Sequence, residues 1–270
     1  EPVVAVHDPV SSSSEGVDGV VGASTMVVEF AASRLVVGVG LVYGGILLWT
    51  KVIDPPEDRF DSADLAAVVD VTTTGLEAAS STTIADAPTT PSTPSDDELS
   101  GSWTATTGSE VGYRVKEVLG GVDTEGVGRT DAVTGTLVIR GTTITETTFE
   151  VEVATITSDS TRRDSQFAGP IMETSIHPTA SFRLTQPIEL GSVPAPGATI
   201  TAVATGELTL HGVTRDVSFE VSARMENGVI GVLGSIEIRF TDYDIDNPSN
   251  GFVTTGDDGL IEFVLAFARA

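Results

Sequence analysis

The stretch Thr157–Phe182, "TSDSTRRDSQFAGPIMETSIHPTASF", groups the residue types best suited to chemistry, namely Arg162, Arg163, Asp164 and His177. Arginine binds anions, and a carboxylate or an imidazole can exchange protons, so one interpretation is acid–base work on an anionic substrate. Arg163 and Asp164 are adjacent, however, and adjacent residues of a helix point in different directions. We therefore favour a structural role, in which Asp164 accepts hydrogen bonds from backbone amides and an arginine joins this segment to a strand.

The histidines and the other acidic residues form no familiar metal-binding pattern. His177 and His211 belong to no HxH or HExxH spacing, and the alternating aspartates of "TDYDIDNPSNG" lack the glycine and glutamate positions of an EF-hand. His211 lies in a turn, "LHGVT", where its ring can bond the backbone and Gly212 can take a positive φ. No phosphate loop, nucleophile elbow or dinucleotide fingerprint occurs. We predict no metal, no cofactor and no catalytic residue, and hence no enzyme.

The overall composition excludes several classes of partner. The chain has 14 Lys+Arg against 39 Asp+Glu, a net charge of −25, which would repel a nucleic-acid backbone. It has no cysteine, so disulfides, Cys-ligated zinc and iron–sulfur clusters are excluded. We therefore expect no nucleic-acid partner and a domain stabilised by its apolar core.

The first 51 residues predict an acidic segment and a membrane anchor. Residues 1–25 are acidic and Ser/Gly-rich and predict a disordered segment; one hypothesis is that native translation starts at Met26. The apolar run Leu35–Trp49 lies between basic residues and, with the apolar residues upstream, favours a single transmembrane helix over 26–51. A buried element of a soluble domain and a cleaved signal peptide are the alternatives, but the residues that follow do not suit a cleavage site.

Residues 52–102 read as a flexible tether. They are rich in Ser, Thr, Pro and Asp, as in "EAASSTTIADAPTTPSTPSDDELSGS", and cannot bury enough apolar surface to offset their ordering entropy. About 45 flexible residues have a root-mean-square reach of roughly 35–40 Å. Within this tether, Ala63–Val71 predicts no more than a transient helical turn, and a partly folded subdomain is the alternative.

From Trp103 to the end, apolar and polar residues alternate. In "FEVEVAT", Phe149, Val151 and Val153 face one way while the glutamates between them face the other, as in a strand with one dry face. About eight such strands, separated by turn signals such as "MENGV", predict an antiparallel barrel or sandwich over 103–270. Only "STRRDSQFAGPIM" lacks the alternation, which predicts a short helical cap with Asp159 or Ser160 as N-cap.

Two motifs carry a resemblance to a known family. "RRDSQF…METSIHPTASF" and "ATGELTLHGVTRDVSFEV" resemble the YceI family, the polyisoprenoid-binding proteins of bacterial cell envelopes, and the order of anchor, tether and domain resembles its actinobacterial, membrane-anchored branch. The resemblance covers about Trp103–Ala270. The matching positions are Arg163, Asp164, Pro178, Phe182, Gly206, Leu208, Thr209, His211, Gly212, Val213 and Thr214. The family pattern departs at Lys116-Glu117, where many members have a lysine–histidine pair, so a ligand contact by that histidine is not carried over.

The resemblance implies a lipocalin-like barrel that encloses a quinone or polyprenyl compound in an apolar tunnel. We expect a membrane-anchored, extracytoplasmic lipid-binding or transport module; the alternative is a ligand-free structural or interaction domain of the cell envelope. The inward phase of the strands and the apolar side of the cap supply the candidate lining. These residues are Phe149, Val151, Phe167, Ile171, Met172, Phe182, Leu184, Leu208, Phe219, Ile238, Phe240 and Phe263.

Overall fold

The computed structural model describes residues 56–75 and 99–270. The acidic segment 1–25, the proposed span 26–51 and the tether residues 76–98 lie outside this part of the chain. No helix within the described ranges has both the length and the apolarity needed to cross a bilayer.

Strands dominate the described chain and all belong to one antiparallel sheet. They are β1 (Gly101–Ala105), β2 (Glu110–Leu119), β3 (Val122–Thr130), β4 (Val133–Arg140), β5 (Thr143–Glu152), β6 (Thr157–Ser158), β7 (Thr179–Leu184), β8 (Ile188–Glu189), β9 (Thr199–Leu210), β10 (Val213–Glu226), β11 (Val229–Arg239), β12 (Val253–Thr255) and β13 (Asp258–Arg269).

Eight of these strands close into a barrel. The ring runs β1-β4-β5-β7-β9-β10-β11-β13, and β13 returns to β1 through the pairs from Trp103↔Arg269 to Ala105↔Phe267. The first half of β13 pairs with β2 instead, from Leu260↔Arg114 to Val264↔Glu110, so at that end the wall continues through β2 and β3. The prediction of an antiparallel barrel of about eight strands is confirmed. Because the ring closes, the fold is a barrel and not the sandwich that the sequence also allowed.

The strands form where the alternation predicted them, because each has one dry and one wet face. On β5, Phe149 and Val151 are buried while Glu150 and Glu152 are exposed. Two-residue turns join β9 to β10 and β10 to β11, and both residues of the first turn, His211 and Gly212, have positive φ values of 50° and 76°. Turns of this kind suit the right-handed twist of hairpin strands.

A short helical cap interrupts the strands between β6 and β7, as predicted. It consists of α2 (Thr161–Gln166) followed by a π-helical turn (Phe167–Ile171), and we call these residues together the cap. Ser160 is the N-cap residue, and its hydroxyl accepts a hydrogen bond from the backbone amide of Arg163. A 3-10 turn, Phe240–Tyr243, follows β11 beside the β9–β10 turn.

One further helix, α1 (Ser62–Gly75), packs on the outside of the barrel, where the sequence predicted only a transient turn in a free tether. Two aspartates cap the first turn of α1. The Asp61 carboxylate accepts a hydrogen bond from the amide of Ala63 at 2.6 Å, and the Asp64 carboxylate accepts one from the amide of Asp61 at 2.8 Å. Such reciprocal capping satisfies amides that a helix start leaves unpaired.

The apolar face of α1 explains why this part of the tether is ordered. Leu65, Val68 and Val69 have the i, i+3, i+4 spacing of one helix face and are 1%, 7% and 0% exposed. They cover outward-facing residues of β11 and β13, including Val264 and Ala266. The strand β13 is therefore buried on both faces, and the expectation of a free tether is corrected for the residues of α1.

Candidate ligand cavity

The barrel contains two cavities, one towards each end. The larger, about 820 Å³, lies under the cap and is bounded by β2, the ends of β5, β9 and β11 and the loop that leads to β12. The smaller, about 90 Å³, lies at the opposite end between the other halves of β5, β9 and β11 and residues of β4, β7, β10 and β13. Among the described residues, the space for a ligand is thus concentrated at the capped end.

All twelve residues predicted as lining face one of these cavities. Phe149, Val151, Phe167, Ile171, Met172, Leu208, Ile238 and Phe240 line the larger cavity. Phe182, Leu184, Phe219 and Phe263 line the smaller one, and Phe149 borders both. Ten of the twelve are buried, whereas Ile171 and Phe219 are partly buried against the same core. Their contact with a ligand remains a prediction.

Four phenylalanines separate the two cavities. The ring centroid of Phe149 lies 5.4 Å from that of Phe182 and 5.5 Å from that of Phe263. Phe219 completes this phenylalanine quartet, with its ring 5.2 Å from Phe182 and 6.0 Å from Phe263. Because tilted and edge-on rings at these distances attract each other, the quartet forms a stable plug. The single tunnel expected from the resemblance stays a prediction.

Two glycines make room for the plug. A Cβ atom at Gly206 would lie 2.6 Å from the Phe182 ring, and one at Gly234 would lie 2.6 Å from the Phe263 ring. Only a residue without a side chain lets these rings lie flat against the opposite strand. The position of the quartet therefore depends on small residues as much as on the phenylalanines.

Residues of β2 line the larger cavity but were missed as candidates. Tyr113, Val115 and Leu119 face inward, and the Tyr113 ring stacks on Phe167 of the cap with centroids 4.6 Å apart. Burial raises the pKa of Tyr113, so its hydroxyl is neutral at ordinary pH. The alternation in "EVGYRVKEVL" was a usable signal for this wall.

Charged and polar side chains stand at the rim of the same cavity. Arg163 pairs with Glu117 of β2 at 3.6 Å and also with Asp159. Asp164 accepts hydrogen bonds from the amide and the hydroxyl of Ser158 at 2.8 Å and 2.6 Å. Both predicted scaffold roles are confirmed: Asp164 holds the start of the cap, and Arg163 joins the cap to a strand.

The structure also brings together three residues that the sequence kept apart. Glu173, His177 and His211 can each offer a ligand atom, and these atoms all lie within 4.8 Å of one another. Nδ1 of His211 lies 3.1 Å from the carbonyl oxygen of Tyr243, the backbone bond expected for this ring. None of the three lines the larger cavity.

A closed antiparallel barrel with an apolar cavity at a capped end defines the class of β-barrels that enclose an apolar molecule. Residues 103–267 match the family described as "YceI-like domain". The chain belongs to the YceI family.

Solved structures share this fold at low identity. The polyisoprenoid binding domain from Saccharophagus degradans, implicated in plant cell wall breakdown, is 16% identical with a TM-score of 0.51, covering 63% of this chain and 99% of that one. Burkholderia cenocepacia BcnA is 20% identical, with a TM-score of 0.46 and coverages of 58% and 95%. The Campylobacter jejuni YceI protein is 12% identical, with a TM-score of 0.41 and coverages of 53% and 84%. Comparison with curated proteins gave no match.

Proposed function

We propose that this chain binds an isoprenoid-type lipid, a quinone or polyprenyl compound, in the larger cavity and holds it or passes it on without chemistry of its own. The observation that carries the proposal is the cavity of about 820 Å³ with its largely apolar walls. Pockets for small molecules typically measure about 300–1,000 Å³ and have this kind of lining. Membership of a family with a polyisoprenoid-binding structural neighbour supports the same ligand class.

The size of the apolar lining makes such binding favourable. Each CH₂ group removed from water contributes about 0.8 kcal/mol, so two or three five-carbon isoprene units gain several kcal/mol before the cost of ordering the chain. The rim residues Glu117, Arg162, Arg163 and Gln166 also border the cavity. This arrangement suits a ligand with a polar head at one end of an apolar chain.

We further propose that residues 26–51 anchor the chain in the cell membrane, with the barrel outside the cytoplasm. The apolar run Leu35–Trp49 between Arg34 and Lys51 supports the anchor, and the resemblance to the actinobacterial branch supports the placement of the barrel outside the cytoplasm. Because the chain has no cysteine, single cysteines at Ser11 and Ser192 can report the topology through an impermeant maleimide in intact cells. Labelling of Ser192→Cys alone is expected, and labelling of Ser11→Cys alone would reverse the orientation.

The lipid proposal is tested by native mass spectrometry of the full chain, expressed in a bacterium and purified in mild detergent, followed by organic extraction. A stoichiometric adduct with a mass on an isoprenoid ladder is expected. Val115→Trp fills the larger cavity from β2 and should abolish the adduct. Val118→Trp, on the exposed side of the same strand, is the matched control and should retain it.

A bare mass, still bare after incubation with quinones and polyprenyl phosphates, would refute lipid binding. It would favour the alternative of a ligand-free structural domain of the envelope, for which the phenylalanine quartet already supplies a packed centre. An adduct that survives Val115→Trp would place the lipid outside the larger cavity.

A further inference from the structure

Glu173, His177 and His211 form a side-chain cluster just outside the barrel, beside the cap. Glu173 and His177 follow the π-helical turn, whereas His211 occupies the β9–β10 turn. The rings of His177 and His211 meet edge to face with centroids 4.7 Å apart. Pairing of β7 with β9, rather than sequence spacing, brings the three residues together, because Glu173 and His177 lead into β7 and His211 directly follows β9.

The hydrogen bonding of His211 determines which of its nitrogens can accept. A carbonyl oxygen can only accept, so Nδ1, 3.1 Å from the Tyr243 carbonyl, must carry a hydrogen. In the neutral ring Nε2 then bears the lone pair. The His211 side chain is only 9% exposed, and Nε2 is buried without a hydrogen-bond partner. Oε2 of Glu173, a second acceptor, lies 3.3 Å from Nε2 without forming a hydrogen bond, so two atoms with lone pairs stand at the spacing expected for ligands of one ion.

The distances between the candidate ligand atoms are close to those between ligands of one metal ion. Tetrahedral ligands held about 2.1 Å from Zn²⁺ lie about 3.4 Å apart, close to the 3.3 Å between His211 and Glu173. All three candidate atoms lie within 4.8 Å, so a modest side-chain rotation completes the set.

We propose that Glu173, His177 and His211 bind a divalent transition-metal ion of the Zn²⁺ type. Two imidazoles and one carboxylate are the donor set such ions prefer, and the exposed side of Glu173 leaves a position for water. The bond from His211 Nδ1 to the Tyr243 carbonyl orients the ligand ring, as partners of metal-bound histidines do.

The bound ion would join three elements at the rim of the larger cavity. Met172, which precedes Glu173, and Phe240, which begins the 3-10 turn, both line that cavity. The metal would tie the end of the cap to the β9–β10 turn and, through Tyr243, to the 3-10 turn. Its role is to hold the rim in place, independently of which molecule occupies the cavity.

The test uses the full chain in mild detergent, with no polyhistidine tag, dialysed against ZnCl₂ in excess Mg²⁺ to occupy sites made of carboxylates alone. We expect one zinc per chain by elemental analysis and a rise in the unfolding temperature that chelation reverses. Only three histidines occur in the sequence, so His7→Gln is the matched control and should bind zinc unchanged.

The zinc affinity should fall at least about tenfold in each of the variants Glu173→Gln, His177→Gln and His211→Asn. A loss of this size already follows when a residue that only hydrogen-bonds to a metal ligand is removed. Asparagine is chosen at His211 because it tolerates a positive φ, and His177→Gln gives a second variant if folding fails there. Absence of zinc uptake would overturn the proposal. Uptake that survives His177→Gln and Glu173→Gln would equally overturn it, by placing the ion elsewhere.

Discussion

A buried carboxylate on the outer wall of the barrel gives a sharp test of how the segment before α1 is held. Glu262 of β13 accepts hydrogen bonds from Nε and Nη2 of Arg114, both at 3.1 Å, and from Nη2 of Arg129 at 2.9 Å. The side chains of Glu262 and Arg114 are each 3% exposed. Burial lowers the pKa of Arg114, but its hydrogen bonds to Glu262 and Glu125 outweigh this and raise the pKa, so the arginine stays charged.

Glu262→Gln removes the charge while keeping the shape of the side chain. Arg114 would retain Glu125 at 2.8 Å but would lose its two-point charged partner in a buried site. Removing one partner of a buried pair costs about 3–5 kcal/mol. With a urea dependence of about 2 kcal/mol per molar, the unfolding midpoint should fall by about 2 M.

The same substitution at an exposed pair provides the control. Glu207 pairs with Arg183 at 2.6 Å, but these side chains are 37% and 62% exposed, so Glu207→Gln should cost less than about 1 kcal/mol. Unfolding is followed by the fluorescence of Trp103, 1% exposed, in a background where Trp49 is replaced by phenylalanine. If Glu262→Gln lowers the midpoint no more than Glu207→Gln, the reasoning about the buried pair is refuted.

Two other substitutions test the energetics of the barrel. Burial raises the pKa of Glu110 above 4.5. The stability that comes from its protonation is therefore present below pH 4.5 and is lost as the pH rises through the raised pKa. Glu110→Gln should be more stable than the parent at about pH 7, and the difference between their unfolding midpoints should close on acidification. A gap that does not change with pH would contradict this assignment. Gly206→Ala would place a Cβ 2.3 Å from the Arg183 carbonyl oxygen and should cost about 1–3 kcal/mol, whereas Gly169→Ala, with open space around it, should cost far less in the same denaturation assay. Equal midpoints for the two alanine variants would show that the phenylalanine quartet can shift freely.

Local signals in the sequence were enough to predict the strands and the cap, because both depend on residues close together in the sequence. The alternation around Phe149 gave the strand and its inward face, and Ser160 gave the start of the cap. The helix α1 was missed because its apolar face, Leu65, Val68 and Val69, is short and has no partner nearby in the sequence. Their partners lie on strands more than 150 residues later, and only the near-continuous apolar run of β13 hinted at burial on both faces.

The residues that line the candidate cavities could be predicted from the sequence, but the presence of two cavities could not. Strand phase identifies which residues face inward, but the plug depends on how Phe182 and Phe263 rest against Gly206 and Gly234 of the neighbouring strands. The metal-type cluster was invisible for a related reason. His211 reaches Glu173 because the pairing of β9 with β7 places the β9–β10 turn beside the end of the cap.

The packed segment before α1 changes what the proposed anchor could do. The backbone carbonyl of Glu57 accepts a hydrogen bond from Arg114 at 2.8 Å, and its carboxylate pairs with Arg129 at 3.2 Å. An anchor ending at Lys51 then leaves only residues 52–55 as a link, which span at most about 14 Å, instead of the long tether that the composition suggested. Residues 76–98 lead from α1 to the barrel and add nothing to this reach.

That short link also decides which part of the barrel would face the membrane. Arg114 lies on the outside of β2 between Tyr113 and Val115, and both neighbours line the larger cavity. The wall of the larger cavity, rather than the packed opposite end, would therefore lie nearest to the proposed anchor. Because Glu57 is held against Arg114, a link of at most about 14 Å would keep this wall of the barrel close to the bilayer. Glu262→Gln weakens the contacts that keep the link short, so its effect on lipid loading in membranes should exceed its effect on loading of the detergent-purified chain.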